Sequence, residues 1–263
     1  MPEEKYKPGS VIFTGAGPGD PDLLTIAAHR VISKADLILY AGSLVNPAIL
    51  EIAKSDAKKY NSAGMTLEEC LQLMIRHARN GELVARVHTG DPTIFGAIAE
   101  QIRGLDSAGI EWSIIPGVTA ATAAAAAAGI SLSMPEYAQG LILARQPGRT
   151  KTSSDAELFR LAGHGLPLAL YLSGNLVGDV CGQLRKVLPE SARVLCAQRV
   201  GWPDSRLIWT NLGELEKCVN AENLKEQTVF IVFPREGEVI KSRLYAKDFS
   251  HKYRKGVDDR QDN

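Results

Sequence analysis

The four cysteines of this chain, Cys70, Cys181, Cys196 and Cys218, stand far apart and form no CxxC pair. Such spacing supports neither a zinc knuckle nor a thioredoxin-type motif, and it fits buried thiols in a reducing cytoplasm. Neither sign of charge is in excess: 30 Lys and Arg balance 30 Asp and Glu. A general nucleic-acid binder would carry a basic surplus, so that class is not expected, although a local basic trough for an acidic small molecule stays open. Long apolar runs are missing too. The longest, residues 123–128 with its flanks, is broken by Pro116, Thr119 and Thr122 and is too short to span a bilayer. The opening MPEEKYKPGS has no apolar segment and is not expected to be a signal peptide. HExxH, Cys/His clusters and GxSxG are absent, and the five histidines are scattered at His29, His77, His88, His164 and His251. No metal site is therefore expected, and a serine hydrolase would lack a nucleophile context.

What is present is a set of four Gly- or Pro-rich turns, each placed after an apolar run. They are GAGPGDP from Gly15 to Pro21, TGDP from Thr89 to Pro92, PGVTA from Pro116 to Ala120 and YLSGN from Tyr171 to Asn175. A short apolar run, a tight turn and then a helix is how an α/β sheet offers backbone to a ligand at its strand ends. Apolar content of 45% over 263 residues allows one large or two smaller domains. Strands are expected at 11–14, 36–40, 83–88, 111–115, 141–144, 168–172, 194–198, 206–210 and 229–233. Helices are expected from about Pro21 or Asp22, then at 46–53, 66–80 (with a Thr66/Glu69 capping box), 94–108, 119–128, 155–162, 176–188 and 212–219. The fold class is α/β. The domain boundary falls between Pro116 and Gln139, favouring its early part: an N-terminal α/β domain at 1–118, a second at 119–248, and a charged tail at 249–263.

The first loop fails as a dinucleotide fingerprint. A GxGxxG beginning at Gly15 needs glycine at position 20, where this chain has Asp20, and the second strand ends in Tyr40-Ala41-Gly42 without a ribose-binding acid. A carboxylate at Asp20 would repel a pyrophosphate, and no GKS or GKT holds a triphosphate. The loop is expected to face a ligand without phosphates. Asp91 either meets a ligand or caps a helix. The alanines at 123–128 either pack closely or clear room beside a planar group. Tyr171 is either a core tyrosine or a site residue.

Together, GAGPGDPDLLT, YAGSLVNP, RVHTGDPTIFGAIAEQ, IIPGVTAATAAAAA, ARQPGRT, LYLSGN and SRLYAKDFSHKYRK resemble the tetrapyrrole (corrin/porphyrin) methylase family over nearly the whole chain. YAGSLVNP, Ser62-Ala63-Gly64-Met65, QPGRT and the tail resemble more narrowly its branch that methylates corrin precursors at C11 in cobalamin synthesis. The resemblance implies a cytoplasmic homodimer of two-domain α/β chains, with S-adenosyl-L-methionine in a cleft between the domains and a tetrapyrrole as methyl acceptor. It implies cosubstrate contacts at Pro18, Thr89, Gly90, Asp91, Ile94, Thr119, Ala120, Leu172, Val200 and Thr228. Tyr171 would orient the reacting groups. Met65, Arg145 and Arg149 would meet the substrate, whose carboxylates suit guanidinium forks, with Arg86, Lys151 and Arg199 as further cations. Two departures stand out: Ala144 replaces a threonine common in the family, and Gly42 replaces an aspartate found in some relatives.

Overall fold

Residues 11–15 read VIFTG, and every one of them is buried. A strand covered on both faces needs apolar side chains at successive positions, which is why its run is continuous rather than alternating. In the computed structural model this run is β1 (Val11–Gly15), the second-innermost strand of a five-stranded parallel sheet. The structure describes residues 6–134, 138–147, 157–234, 249–250 and 252. The chain divides into two compact units, Met1–Ala127 with Arg199–Arg206, and Ala128–Gln198 with Leu207–Asn263.

In the first unit, β2 (Leu37–Tyr40), β3 (Lys58–Asn61), β4 (Val84–His88) and β5 (Trp112–Ile115) join β1 in the order β3-β2-β4-β1-β5. Helices α1 (Ile26–Lys34) and α2 (Pro47–Leu50) cover one face, where Ile12 packs with Val31, Ile32 and Ile49. Helices α3 (Leu67–Arg79) and α4 (Ala99–Ser107) cover the other, where Phe13 packs with Leu73, Met74 and Leu105. Fully burying an aliphatic or aromatic side chain of this size contributes roughly 1.5–3 kcal/mol, so the two faces hold the sheet from both sides. Helix α5 (Ala120–Ala127) closes the unit. The expected division at 118/119 would assign this helix to the second domain; its contacts group it with the first.

In the second unit, β6 (Ile142–Arg145), β7 (Leu168–Tyr171), β8 (Arg193–Gln198), β9 (Arg206–Asn211) and β10 (Thr228–Phe233) form a sheet in the order β6-β7-β10-β8-β9. β6 and β7 run parallel, whereas β10 is antiparallel to both β7 and β8. Helices α6 (Glu157–Gly163), α7 (Val177–Leu184) and α8 (Leu215–Ala221) pack Leu158, Val180, Leu184 and Val219 onto Leu170, Cys196 and Phe230.

Three expectations are corrected. The first helix begins later than Pro21 or Asp22. Asp20 caps only a short 3-10 turn at Pro21–Leu23, Leu24 is extended, and Thr25 caps α1 by accepting from the Ala28 N–H at 3.1 Å. The helix expected from Ile94 begins at Ala99. Phe95 and Ala97 have φ of 55° and 49°, and the Asp91 carboxylate takes both the N–H (2.8 Å) and hydroxyl (2.5 Å) of Thr93, so local side-chain bonding holds this stretch out of the helix. Strand β3, KKYN, is exposed at all four positions and has no apolar pattern to announce it; only pairing with β2 makes it a strand. The Thr66/Glu69 capping box is present as expected.

β4, β1 and β5 are neighbours, so the turns after them emerge side by side. A methyl group placed on Gly15 would lie 2.6 Å from the Gly117 Cα and the Gly90 oxygen, and one on Gly117 would overlap that oxygen. Gly117→Ala is expected to destabilise the protein by about 1–3 kcal/mol, the range for forced overpacking. Denaturant unfolding of the variant beside the parent measures it, and unchanged stability would mean that the three turns can part without cost.

Candidate functional site

The three converging turns are tied as well as packed. Gly17 and Gly90 exchange backbone hydrogen bonds, N–H to O at 3.2 and 2.7 Å, and Ala16 donates to the His88 oxygen at 2.7 Å. Asp91 does not cap a helix. One carboxylate oxygen accepts twice from Thr93, and the other accepts from the Gly117 N–H at 3.1 Å, twenty-six residues away. The carboxylate therefore clamps the TGDP turn to the PGVTA turn. Helix α5 starts three residues beyond Gly117, and Ala121, Ala123, Ala124 and Ala125 are buried. Side chains of one carbon let it stand close to its neighbours while keeping high helix propensity.

Of the expected cosubstrate residues, the first unit brings Pro18, Thr89, Gly90, Asp91, Thr119 and Ala120 to this one edge of its sheet, with Ile94 just beyond. Pro18 is buried, Thr89 exposed, and the others half-buried. Val200 also belongs to this unit and is buried, at 6% exposure. Met65 is half-buried just before α3, packed against the cluster that includes Met74.

The remaining candidates belong to the second unit. Arg145 and Tyr171 are register partners at the ends of the parallel strands β6 and β7, Arg145 exposed and Tyr171 half-buried. Pairing of Phe230 with Leu170 places Thr228 and Leu172 at the same end of β10 and β7. Leu172 has φ of 53° and is 62% exposed, an unusual state for an apolar side chain. Ser173 links the two turns here: its hydroxyl donates to the Tyr171 oxygen at 2.7 Å and accepts from the Gln146 N–H at 2.9 Å. Gln146 is buried, and its Oε1 has no hydrogen-bond partner among the described residues. Arg149, Lys151 and most of the expected tail at 249–263 lie outside the described residues.

Two of the further cations are engaged within the first unit. Arg86 is buried on the α3–α4 side, donating from Nε to Gln101 Oε1 at 3.1 Å and from Nη1 to Ser62 Oγ at 3.0 Å and the Leu39 oxygen at 3.3 Å. All three acceptors are uncharged, and burial lowers the guanidinium pKa. Arg199 pairs with Asp204, Nε to Oδ1 at 2.8 Å, and stacks on Trp202. Neither is placed as a surface fork for substrate carboxylates.

Sequence reasoning missed His88 beyond counting it. It ends β4 level with Gly15, buried against Phe13, with Nε2 unpartnered among the described residues. Burial, and then the Arg86 charge, push its pKa down to about 3.

The geometry offers a backbone cradle beside the clamped Asp91 carboxylate, and the loop from Gly15 to Asp20 carries no cation. It fits a ligand without phosphates. The sequence profile described as Tetrapyrrole (Corrin/Porphyrin) Methylases matches residues 10–216. The chain belongs to that family. It is 40% identical over 252 residues to a protein of Methanocaldococcus jannaschii named cobalt-precorrin-4 C(11)-methyltransferase, covering 93% of this chain and 96% of the relative. It is also 40% identical over 253 residues to the precorrin-4 C(11)-methyltransferase of Pseudomonas aeruginosa, covering 94% and 99%. Among solved structures it is similar to a cobalt precorrin-4 methyltransferase, a cobalamin biosynthetic enzyme, with a TM-score of 0.82 and 36% identity, covering 85% of this chain and 94% of that one. It also resembles the uroporphyrin-III C-methyl transferase of Thermus thermophilus complexed with S-adenosylhomocysteine, with a TM-score of 0.72 and 28% identity, over 88% and 98% of the two chains.

One titrating group near the converging turns makes a separate expectation. The folded-state pKa of His88 lies below the ordinary 6.5, so the unfolded chain takes the proton first. The stabilisation is complete above about pH 6.5 and is lost as pH falls from there toward 3. At pH 5 the loss from this group is expected to be about 2 kcal/mol. Unfolding free energies at pH 7 and pH 5 should differ by less in His88→Gln than in the parent; equal differences would show that His88 does not set the slope.

Proposed function

We propose that this chain transfers a methyl group from S-adenosyl-L-methionine to C11 of precorrin-4 or cobalt-precorrin-4, a step of cobalamin biosynthesis. The observation that carries the reading is identity of 40% across nearly the full length of two enzymes named for that reaction. The cradle of β1, β4 and β5 turns agrees with it, because the methyl donor brings no phosphate.

The sulfonium donor supplies an already activated methyl, which passes to a nucleophilic ring carbon while the C–S bond breaks and a neutral thioether leaves. The chain's own residues then have a limited task. They hold donor and acceptor in line and keep water out. In this reading Pro18, the Thr89-Gly90-Asp91 turn, Ile94, Thr119, Ala120, Val200, Leu172 and Thr228 hold the cosubstrate. Asp91 acts chiefly by fixing the Gly117 turn, since both its oxygens are already engaged. Tyr171 orients the reacting groups. Arg145, exposed beside it, and Arg149 take substrate carboxylates, and Met65 lines the acceptor's side. The working protein is taken to be a cytoplasmic homodimer. No helix among the described residues is long and apolar enough to cross a membrane.

The direct test is incubation with precorrin-4 and with cobalt-precorrin-4, each with isotope-labelled cosubstrate, followed by NMR. Label at C11 is expected; label at another ring position, or none, overturns the assignment. Arg145→Ala is expected to raise the tetrapyrrole KM by about tenfold, the loss of one charged hydrogen bond of roughly 1.5–3 kcal/mol, with partial rescue by lysine. S-adenosylmethionine KM should stay level. A shift in that KM alone would put Arg145 on the cosubstrate.

A further inference from the structure

The turn Gly17-Pro18-Gly19 is anchored at three successive residues by three distant parts of the chain. Gly17 is laddered to Gly90. The Gly19 oxygen accepts from Asn46 Nδ2 at 2.8 Å. The Pro18 oxygen accepts from the indole Nε1 of Trp202 at 3.2 Å, across 184 positions of sequence. Trp202 also fills the space that a side chain on Gly19 would need: a methyl there would overlap the indole edge. The fit is reciprocal, because a methyl on Gly201 would lie 2.8 Å from the Asp20 nitrogen. Gly19 and Gly201 have φ of 149° and 81°, so both are in backbone regions that favour glycine.

Trp202 is itself held. The Arg199 guanidinium lies 3.9 Å from its ring centroid, and Asp204 pairs with Arg199. Trp202 N–H donates to the Arg199 oxygen at 2.9 Å, and Ser205 N–H to the Trp202 oxygen at 3.0 Å, which turns the segment tightly. Residues 199–206 follow β8 in the chain yet belong to the first unit. A cation on one face, packed glycine at the edge and a hydrogen bond at the tip leave the indole little freedom.

We propose that Trp202 is a positioning residue for the cosubstrate: it latches the Pro18–Gly19 turn in its binding-ready form. The inference rests on the methyltransferase reading, in which Pro18 contacts S-adenosylmethionine. A latched turn has less freedom to lose when the ligand arrives, so the latch acts on cosubstrate affinity and not on the methyl-transfer step. Its removal leaves the Asn46 and Gly90 anchors in place, and the turn loosens without being lost.

The test uses full-length Trp202→Phe and Trp202→Ala, with S-adenosylhomocysteine as the calorimetric probe. The phenylalanine variant keeps an aromatic ring and removes the donor, and it guards against misfolding of the alanine variant. Loss of one hydrogen bond predicts a Kd raised about fivefold in Trp202→Phe, and a larger rise in Trp202→Ala. The KM for S-adenosylmethionine should rise in step, while kcat at saturation and the tetrapyrrole KM stay level. A lower melting temperature with unchanged Kd in both variants would make Trp202 a structural residue only and overturns the proposal, as does a fall in kcat with unchanged Kd. The parent protein separates the two readings: if it does not bind S-adenosylhomocysteine, the methyltransferase assignment falls and the latch with it; if it binds and the variants bind equally, the latch alone falls.

Discussion

Three polypeptide turns meet so closely that no side chain fits on Gly15 or Gly117, and the first unit is organised around that constraint. The strand order puts β4, β1 and β5 side by side, so the backbones after them meet at Gly15, Gly90 and Gly117. At Gly15 and Gly117 glycine is required by contact with other backbone, which cannot move aside as a flexible side chain can, and at Gly90 by a φ of 60°. Once the turns meet, the rest follows. Asp91 reaches across to the Gly117 N–H, and the chain soon enters α5, whose buried positions are all alanine. A carboxylate that looks like a ligand group in the sequence thus contributes to the site by fixing the loop beside it.

The strands of both units were legible because buried strands need runs of apolar residues, as at 11–13, 37–40 and 229–233; 84–88 is apolar only at Val84, Ala85 and Val87. β3 was illegible for the converse reason: KKYN has nothing to bury and is a strand only because β2 offers an edge. The helix starts were misread where two capping residues compete. Asp20 and Thr25 are both good caps, and nothing local says that the chain stays extended at Leu24 between them. The turns of the site could be read from their glycines and the strands before them. The anchors of those turns could not. Trp202 is 184 residues from Pro18, and no periodicity relates them. Gln146 sits within a visible motif, but the hydroxyl that holds its N–H is that of Ser173, twenty-seven residues on.

Charge placement separates the cations by task. A chain with no net charge has to make any positive field locally. Arg86 cannot supply it, since its guanidinium is buried among a glutamine, a serine and a backbone carbonyl. Burial keeps the nearby His88 neutral, and the Arg86 charge works in the same direction. Two residues of one strand therefore sit in a polar but carboxylate-free interior. Removing Arg86 would leave its buried partners unsatisfied, which marks it as part of the scaffold beneath the turns. Arg145 differs in being exposed at a strand end, where the proposed function gives its guanidinium fork the substrate carboxylates.

This division accounts for why so little conventional catalytic apparatus is visible. Where the electrophile is preactivated and the leaving group is neutral, no side chain has to carry developing negative charge, and acid–base pairs of matched pKa bring little gain. What can still be improved is alignment, and alignment is lost through freedom in the groups that hold the reactants. The turn at Pro18 is correspondingly fixed at Gly17, Pro18 and Gly19 in succession, each by a different segment. Hydrogen bonds of this kind contribute modestly to stability one at a time. Their joint effect is to leave the backbone a single arrangement, so that a ligand meeting it does not have to order it.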